Sequence, residues 1–364
     1  MSTIDIVTGA QYGSEGKGHV TAQLVKRRSQ GLLHHNKITN IRVAGPNAGH
    51  TVIDDNGVAY PLRTIPVAAA IDPTADLYIA PGSEIDLEVL IAEVNLLREN
   101  GHELRNLYVS GEATLLEKKH QKTETKMRMH ENIGSTGKGI GAARADRIMR
   151  TAKRVIDDWE ARTTIFSLKG QILSHDEELL YMANQLRQDN RAIIIEGTQG
   201  YGLGLHAGRY PQCTSNDARA IDFLAMAGIS PWAEGVEQVN PWLVSRVYPI
   251  RVAGNSGPLE GETTWEELGL PEEKTTVTHK TRRVGHWDQK LIREAVIGNG
   301  SNVKIALTMV DQKIPSVSYS TNLRDILGQA RVELTELVRQ VERDAGAPVE
   351  LVTTGPNHAV WLDM

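Results

Sequence analysis

Cysteine is almost missing from this chain: Cys213 is the only one in 364 residues. An internal disulfide is therefore excluded, and so is a thiolate zinc site, which needs several sulfur ligands. That usage fits a reducing, cytoplasmic setting. Long apolar runs are absent too, and a bilayer-crossing helix needs roughly 20 apolar residues in succession. The start, Met1-Ser-Thr-Ile-Asp5, lacks the basic-then-apolar layout of a secretory leader. There is no excess of positive charge either, since 40 Lys and Arg stand against 45 Asp and Glu for a net charge of −5. A general nucleic-acid binder needs the opposite balance, so neither nucleic acid nor membrane is expected as a partner. Any anion site must gather its cations locally, and segments 118–128 and 280–283 are where they cluster. No repeat, low-complexity tract or flexible linker divides the chain, which reads as one domain spanning residues 1–364 with long insertions.

Periodicity supplies the elements. Short apolar runs at Ile4–Val7, Ile41–Ala44, Leu77–Ala80, Leu107–Val109, Ala192–Ile195, Val303–Leu307 and Val349–Val352 predict buried strands. A helix is expected from about Gly16 through Val20, Leu24 and Val25. Leu87, Leu90, Ile91, Val94 and Leu97 recur at helical spacing before Gly101, and Leu323–Val341 is amphipathic. Residues 117–150, polar, basic and glycine-rich, predict a long functional loop with helical pieces. Glu237–Val252 reads as a strand or hairpin confined by Pro241 and Pro249. Strands alternating with helices imply an α/β fold with a mainly parallel central sheet flanked by helices.

The chemistry sits in the loops. Gly13-Ser-Glu-Gly-Lys17-Gly18 falls between a strand and a helix. Glycines admit an anion to the backbone, and helix N-terminal amides with a lysine meet its charge. It is not a Walker A loop, because Gln11 and Gly18 stand where that motif needs Gly and Ser or Thr. Gly45-Pro-Asn47-Ala-Gly49-His50-Thr51 offers an amide to a base edge and an imidazole that titrates near neutrality. Ile133-Gly-Ser-Thr136-Gly-Lys-Gly-Ile-Gly141 brings hydroxyls and amides, with Arg150 beyond. Gln199 follows the strand 192–195, where α/β enzymes place ligand contacts, and Thr214 follows later. Thr278-His-Lys280-Thr-Arg282-Arg283 carries guanidinium groups suited to a dicarboxylate or a phosphate. Taken singly, each is matched by a plainer explanation: a tight turn with a surface lysine, a solvent-exposed histidine, a mobile loop, a solvated basic turn. Together, in an acidic chain, they point to phosphoryl transfer.

The ordered set Gln11-Tyr-Gly-Ser-Glu-Gly-Lys-Gly18, Asn47-Ala-Gly-His-Thr51, Gly134–Gly141, Glu196-Gly-Thr-Gln-Gly200 and Thr353-Thr-Gly-Pro356 resembles adenylosuccinate synthetase over nearly the whole chain. The resemblance implies that family's P-loop-like α/β fold, a homodimer and Mg²⁺. It also implies a two-step ligation in which the purine 6-oxygen is phosphorylated and the amine of L-aspartate displaces the phosphate. By it, Ser14, Lys17 and His50 are catalytic, His50 as an acid. Ser14, Asn47, Ala48, Thr136, Gln199 and Thr214 hold the purine monophosphate, with Arg150 reaching in from a neighbouring subunit. Thr278, Lys280, Arg282 and Arg283 match the aspartate loop TxGRxRR, with Lys280 where the family has Arg. Gly13, Glu15, Gly16, Lys17, Gly18, Thr51, Asp311, Thr353, Thr354 and Gly355 match the triphosphate site. Ser14 and Gly49 match the metal ligands.

Two departures matter. The family opens QWGDEGKGK, and its Asp serves as general base on the purine and contacts Mg²⁺; here that position is Ser14. A serine hydroxyl is a poor base near pH 7. Its small size makes room for the 2-amino group of guanine, and its oxygen can accept that group's hydrogen bond. The same exchange resembles the phage branch of the family, 2-aminoadenylosuccinate synthetase, and so implies dGMP as substrate, for DNA containing 2-aminoadenine, in a host cytoplasm. An ordinary IMP-using synthetase and an inactive nucleotide-binding homologue remain the alternatives. In the second departure, Thr308-Met309-Val-Asp311 stands for the family's TKLD. Met309 in place of Lys favours ATP or dATP as phosphoryl donor, and Asp311 leaves GTP open.

Overall fold

The computed structural model describes residues 2–30, 37–188, 190–274 and 280–362. Ten strands form the central sheet: β1 (Ser2–Gly9), β2 (Lys37–Arg42), β3 (Asp76–Ile79), β4 (Leu107–Ser110), β5 (Gln171–Leu173), β6 (Arg191–Gly200), β7 (Val236–Arg246), β8 (Lys304–Thr308), β9 (Val349–Gly355) and β10 (His358–Trp361). Their order is β10-β9-β8-β7-β1-β6-β2-β3-β4-β5. All neighbours run parallel except β9 and β10, which form an antiparallel hairpin at the edge. The mainly parallel α/β architecture expected from the sequence is the one observed.

Parallel strands covered on both faces must be apolar throughout, and β6 shows why. Ala192 and Ile194 pack into the core on one side of the sheet, Ile193 and Ile195 into the core on the other. In β1, Val7 joins the first and Ile4 and Ile6 the second. A third core gathers Ile305 and Leu307 of β8 with Leu334 and Val341 of the last long helix, all fully or almost fully buried.

Several boundaries differ from the sequence reading. The strand expected at Ile41–Ala44 is β2, ending at Arg42. The segment 237–252 is no hairpin: it is the long central strand β7 plus a two-residue strand, Ile250–Arg251. Pro241 is tolerated because it pairs with Ile6 of β1, whereas the ladder to β8 begins only at Trp242. Its missing N–H falls where β7 has one partner strand. The last helix runs Gly328–Ala345 rather than from Leu323, which lies in a separate 3-10 turn. Residues 117–150 hold three helices, Lys118–Lys126, Met129–Ile133 and Ile140–Met149. Among the described residues no helix is long and apolar enough to cross a membrane.

Candidate active site

Parallel strands deliver their connecting loops to one edge of the sheet, so ligands bind beyond the carboxyl ends. The loops after β1, β2, β6, β7 and β8 meet there around a cleft of about 450 Å³, within the range of roughly 300–1,000 Å³ usual for small-molecule sites. Gly13, Ser14, Gly16, Lys17, Gly18, Asn47, Ala48, Gly49, His50, Thr51, Thr136, Gln199, Thr214, Arg282 and Met309 all line it. Loops far apart in sequence are thus one surface.

The first loop leads into α1 (Lys17–Gln30), whose opening amides have no helical acceptor and point positive charge at the cleft. Glu15 shapes this loop. Its side chain is fully buried, accepts from the Gly13 amide at 2.7 Å and the Gln11 amide at 3.3 Å, and pairs with Lys17 Nζ at 2.5 Å. The carboxylate of Glu15, a residue expected at the triphosphate site, faces inward as the brace of the loop. The Gly13 amide is committed to the same brace. Ser14 sits above it in a left-handed conformation, φ +58°, and its Oγ accepts from Arg282 Nη1 at 2.5 Å. Gly18 brings α1 against the second loop, since a β-carbon there would lie 2.7 Å from His50 Cβ.

His50 is held in a buried triad. Its Nδ1 is 2.9 Å from Glu196 Oε2, and Arg42 Nη1 lies 2.5 Å from Nδ1 and 3.2 Å from Nε2. Arg42 also pairs with Glu196 at 3.2 Å and donates to the Ala48 carbonyl at 2.9 Å. Glu196 Oε1 accepts the Val67 amide at 2.7 Å. Burial, then the positive charges of Arg42 and Lys17, push the His50 pKa well below its ordinary value. These causes favour the neutral imidazole, whereas the acid role expected of His50 needs the ring protonated. Incoming phosphate charge acts in the opposite direction and favours the protonated ring. Sequence reasoning gives Arg42 and Glu196 no role of their own, although Glu196 opens the motif Glu196-Gly-Thr-Gln-Gly200 and pairs with Arg42 on the neighbouring strand of the sheet.

Other expected residues are placed differently. Arg283 is taken by Glu262 in a two-point ion pair, 2.6 Å at each nitrogen, and donates to Gly257 O and Ser256 Oγ. It braces the small three-stranded sheet formed by Ile250–Arg251, Arg283–Gly285 and Glu262–Thr263, and it does not line the cleft. Lys280 lies exposed, its Nζ 3.3 Å from His130 Nε2, and Thr278 falls outside the described residues. Thr353 Oγ1 accepts the Met309 amide, and the buried Thr354 donates to Ser320 O, so both hydroxyls hold the loop after β8 and do not face the cleft. Asp311 differs: its buried Oδ1 has no partner, and burial raises its pKa, as an acceptor awaiting a donor would show. Gly355 packs beside Tyr319 and His358. Arg150 caps the helix Ile140–Met149 in a left-handed turn and does not line this chain's own cleft. Glu124, also missed, is buried and accepts the Gly139 and Gly141 amides at 2.8 Å each, folding the loop that presents Thr136.

No group of three or more His, Cys, Asp or Glu suited to a metal occurs among the described residues. The Gly49 carbonyl and Ser14 hydroxyl are neutral oxygens, a donor set that suits a hard cation arriving on phosphate.

The profile of the family described as adenylosuccinate synthetase matches residues 6–179 and 158–322. The adenylosuccinate synthetase of Methanococcus aeolicus is 31% identical over all of this chain and 99% of its own length. That of Methanocaldococcus jannaschii is 33% identical over all of this chain and 97% of its own. Among solved structures, the succinoaminodeoxyadenylate synthetase of cyanophage S-2L, bound to dGMP and to dATP as an energy donor, superposes with a TM-score of 0.77 at 25% identity, covering 98% of this chain and 93% of that one. The fully ligated adenylosuccinate synthetase of Plasmodium falciparum shares the fold, with a TM-score of 0.75 at 20% identity over 98% of this chain and 99% of that one. With its braced glycine loop, buried histidine triad and shared cleft, the chain belongs to the adenylosuccinate synthetase family of carbon–nitrogen ligases.

Proposed function

We propose that this enzyme condenses dGMP with L-aspartate, using a nucleoside triphosphate, to form 2-amino-2′-deoxy-N6-succinyladenylate, nucleoside diphosphate and phosphate. Guanine O6 attacks the γ-phosphorus as the N1 proton passes to water; the bond to the bridging oxygen breaks and its electron pair leaves with the diphosphate. The aspartate amine then attacks C6, and phosphate departs with the C6–O6 electrons. Phosphorylation turns a poor leaving group into a good one. Lys17 and the first amides of α1 stabilise charge on the transferring group, and His50 donates to it once the bound phosphates favour its proton. Asn47 and Gln199 face the purine, while Thr136 and Thr214, with Arg150 of the partner subunit, take the 5′-phosphate. Exposed Ile148 and Met149 beside Arg150 suit burial in such a homodimer. Arg282 and Lys280 receive the aspartate carboxylates. Mg²⁺ brought by the triphosphate would be held by the Gly49 carbonyl and Ser14 hydroxyl and would neutralise phosphoryl charge.

The observation that carries the choice of base is Ser14. It lines the same cleft as Gln199, a short acceptor where a carboxylate would crowd the guanine 2-amino group. The phage enzyme solved with dGMP and dATP supports the same reading. The apolar Met309 in the cleft wall favours an adenine base for the triphosphate, while the partnerless acceptor of Asp311 leaves guanine open.

Its rival is an ordinary IMP-using synthetase, which the archaeal relatives favour. Crossing dGMP, GMP and IMP with dATP, ATP and GTP, with aspartate and Mg²⁺, separates the two by phosphate release and succinyl-purine formation. Turnover with dGMP and an adenine triphosphate is expected; turnover with IMP alone would overturn the proposal.

A further inference from the structure

Two arginines of the cleft, Arg63 and Arg251, have no role in the scheme above; Arg251 is spent on the carbonyls of Pro258 and Gln212, which leaves Arg63 in the cleft. Arg63 lines it together with Lys17, Gly18, Gly49 and Thr51. It follows directly on the hairpin His50–Ile53/Ala59–Leu62, in which His50 is registered opposite Leu62. That register sets Arg63 against Gly49, where a β-carbon would lie 3.8 Å from Arg63 Cγ. Its backbone is held firmly. The amide donates to Glu93 Oε1 at 2.6 Å, and the same buried carboxylate accepts the amides of Thr64 and Ile65 at 3.0 and 2.9 Å. Its carbonyl accepts from Arg42 Nε at 3.3 Å. The guanidinium, by contrast, makes no hydrogen bond or ion pair with any described residue.

The other cations of the site have partners: Arg251 donates to the carbonyls of Pro258 and Gln212, and Arg282 donates to Ser14 Oγ. Lys17 is paired with Glu15, Arg42 with Glu196, Arg283 with Glu262. A fixed backbone carrying an unmatched, planar five-donor head beside a helix N-terminus is the arrangement that binds a phosphoryl group. We propose that Arg63 is a further phosphate-binding residue: its guanidinium closes on the terminal phosphoryl group of the triphosphate and stays on it during transfer to the purine oxygen. It supplies in place the positive charge that other phosphoryl-transfer enzymes bring in with a separate arginine. It also adds fixed charge to a site whose metal ligand at position 14 is a neutral hydroxyl. The inference rests on the proposed reaction for the direction of transfer but not for the identity of the purine.

The test compares full-length Arg63→Ala, Arg63→Lys and wild type in calorimetric binding of ATP and ADP with Mg²⁺, with GTP and GDP run alongside. Loss of one charge-assisted contact predicts roughly 10- to 100-fold weaker triphosphate binding in Arg63→Ala, with diphosphate binding nearly unchanged and Arg63→Lys between. Phosphate release should fall by about 10²–10³ while the aspartate KM holds. Equal weakening of triphosphate and diphosphate, or a raised aspartate KM with triphosphate binding intact, would overturn the assignment. If Arg63→Ala melts below the assay temperature, Arg63→Gln carries the same comparison. Wild type that binds triphosphate yet releases no phosphate with any purine defeats the proposed reaction, and the triphosphate-to-diphosphate ratio still decides Arg63.

Discussion

His50 Nδ1 lies 2.9 Å from a carboxylate oxygen of Glu196, a residue 146 positions later in the chain, and both are buried. Arg42 balances the carboxylate's charge from 3.2 Å. Removing one member of a buried charge pair strands the other, at a cost of about 3–5 kcal/mol. Glu196→Gln should therefore lower stability by about that amount in urea unfolding and reduce phosphate release, since the imidazole loses its orienting acceptor. Unchanged unfolding midpoints and turnover would show that the triad is a bystander.

Ser14 Oγ accepts from Arg282 across the cleft mouth. In Ser14→Asp the new carboxylate pairs with Arg282 and presents a charged oxygen to the base edge. Acceptance of dGMP should fall and of IMP rise, moving the ratio of their kcat/KM values by roughly 5- to 150-fold, the equivalent of about 1–3 kcal/mol for one buried hydrogen bond. A ratio that does not move would remove Ser14 from the account of base choice.

Gly18→Ala puts a methyl group 2.7 Å from His50 Cβ, and neither α1 nor the hairpin can yield cheaply. Overpacking of this kind costs about 1–3 kcal/mol. The displaced imidazole should depress kcat more than it raises the KM of any substrate. Wild-type kinetics in this variant would mean that the close approach of α1 to His50 is slack.

His19, on the first turn of α1, has its pKa pushed down to about 4, first by burial and then by the charges of His358 and Lys26. Its folded pKa lies below the unfolded value, so the unfolded chain binds more protons in between. Its contribution is present above about pH 6.5 and is lost as pH falls toward about 4. The full loss amounts to roughly 3 kcal/mol. His19→Gln should flatten the pH dependence of stability between those limits relative to wild type, read by urea unfolding at several pH values. Parallel curves would show that His19 is not desolvated in the native state.

Much of the site was legible because its loops are local. Glycine spacing, a lysine at a helix start and a serine in place of aspartate are read within a short stretch of chain, and strand–loop–helix order places each loop at the same sheet edge. Pairing partners were not legible. Nothing near Glu15 says that its carboxylate turns inward onto Lys17. The motif around Arg282 gives no hint that Arg283 will be captured by Glu262, 21 residues earlier.

By itself the sequence determined the alternation of buried strands and helices, the order of the anion-seeking loops and the chemical type of residue 14. These follow from apolar periodicity and from backbone freedom at glycine, which act over a few residues. The tertiary structure alone decided that Arg42, His50 and Glu196 share one buried charge network, that Pro241 fits a central strand, and that Arg63 is left with its charge unmatched. Those outcomes depend on which strands become neighbours, and burial then sets the protonation of every group enclosed between them.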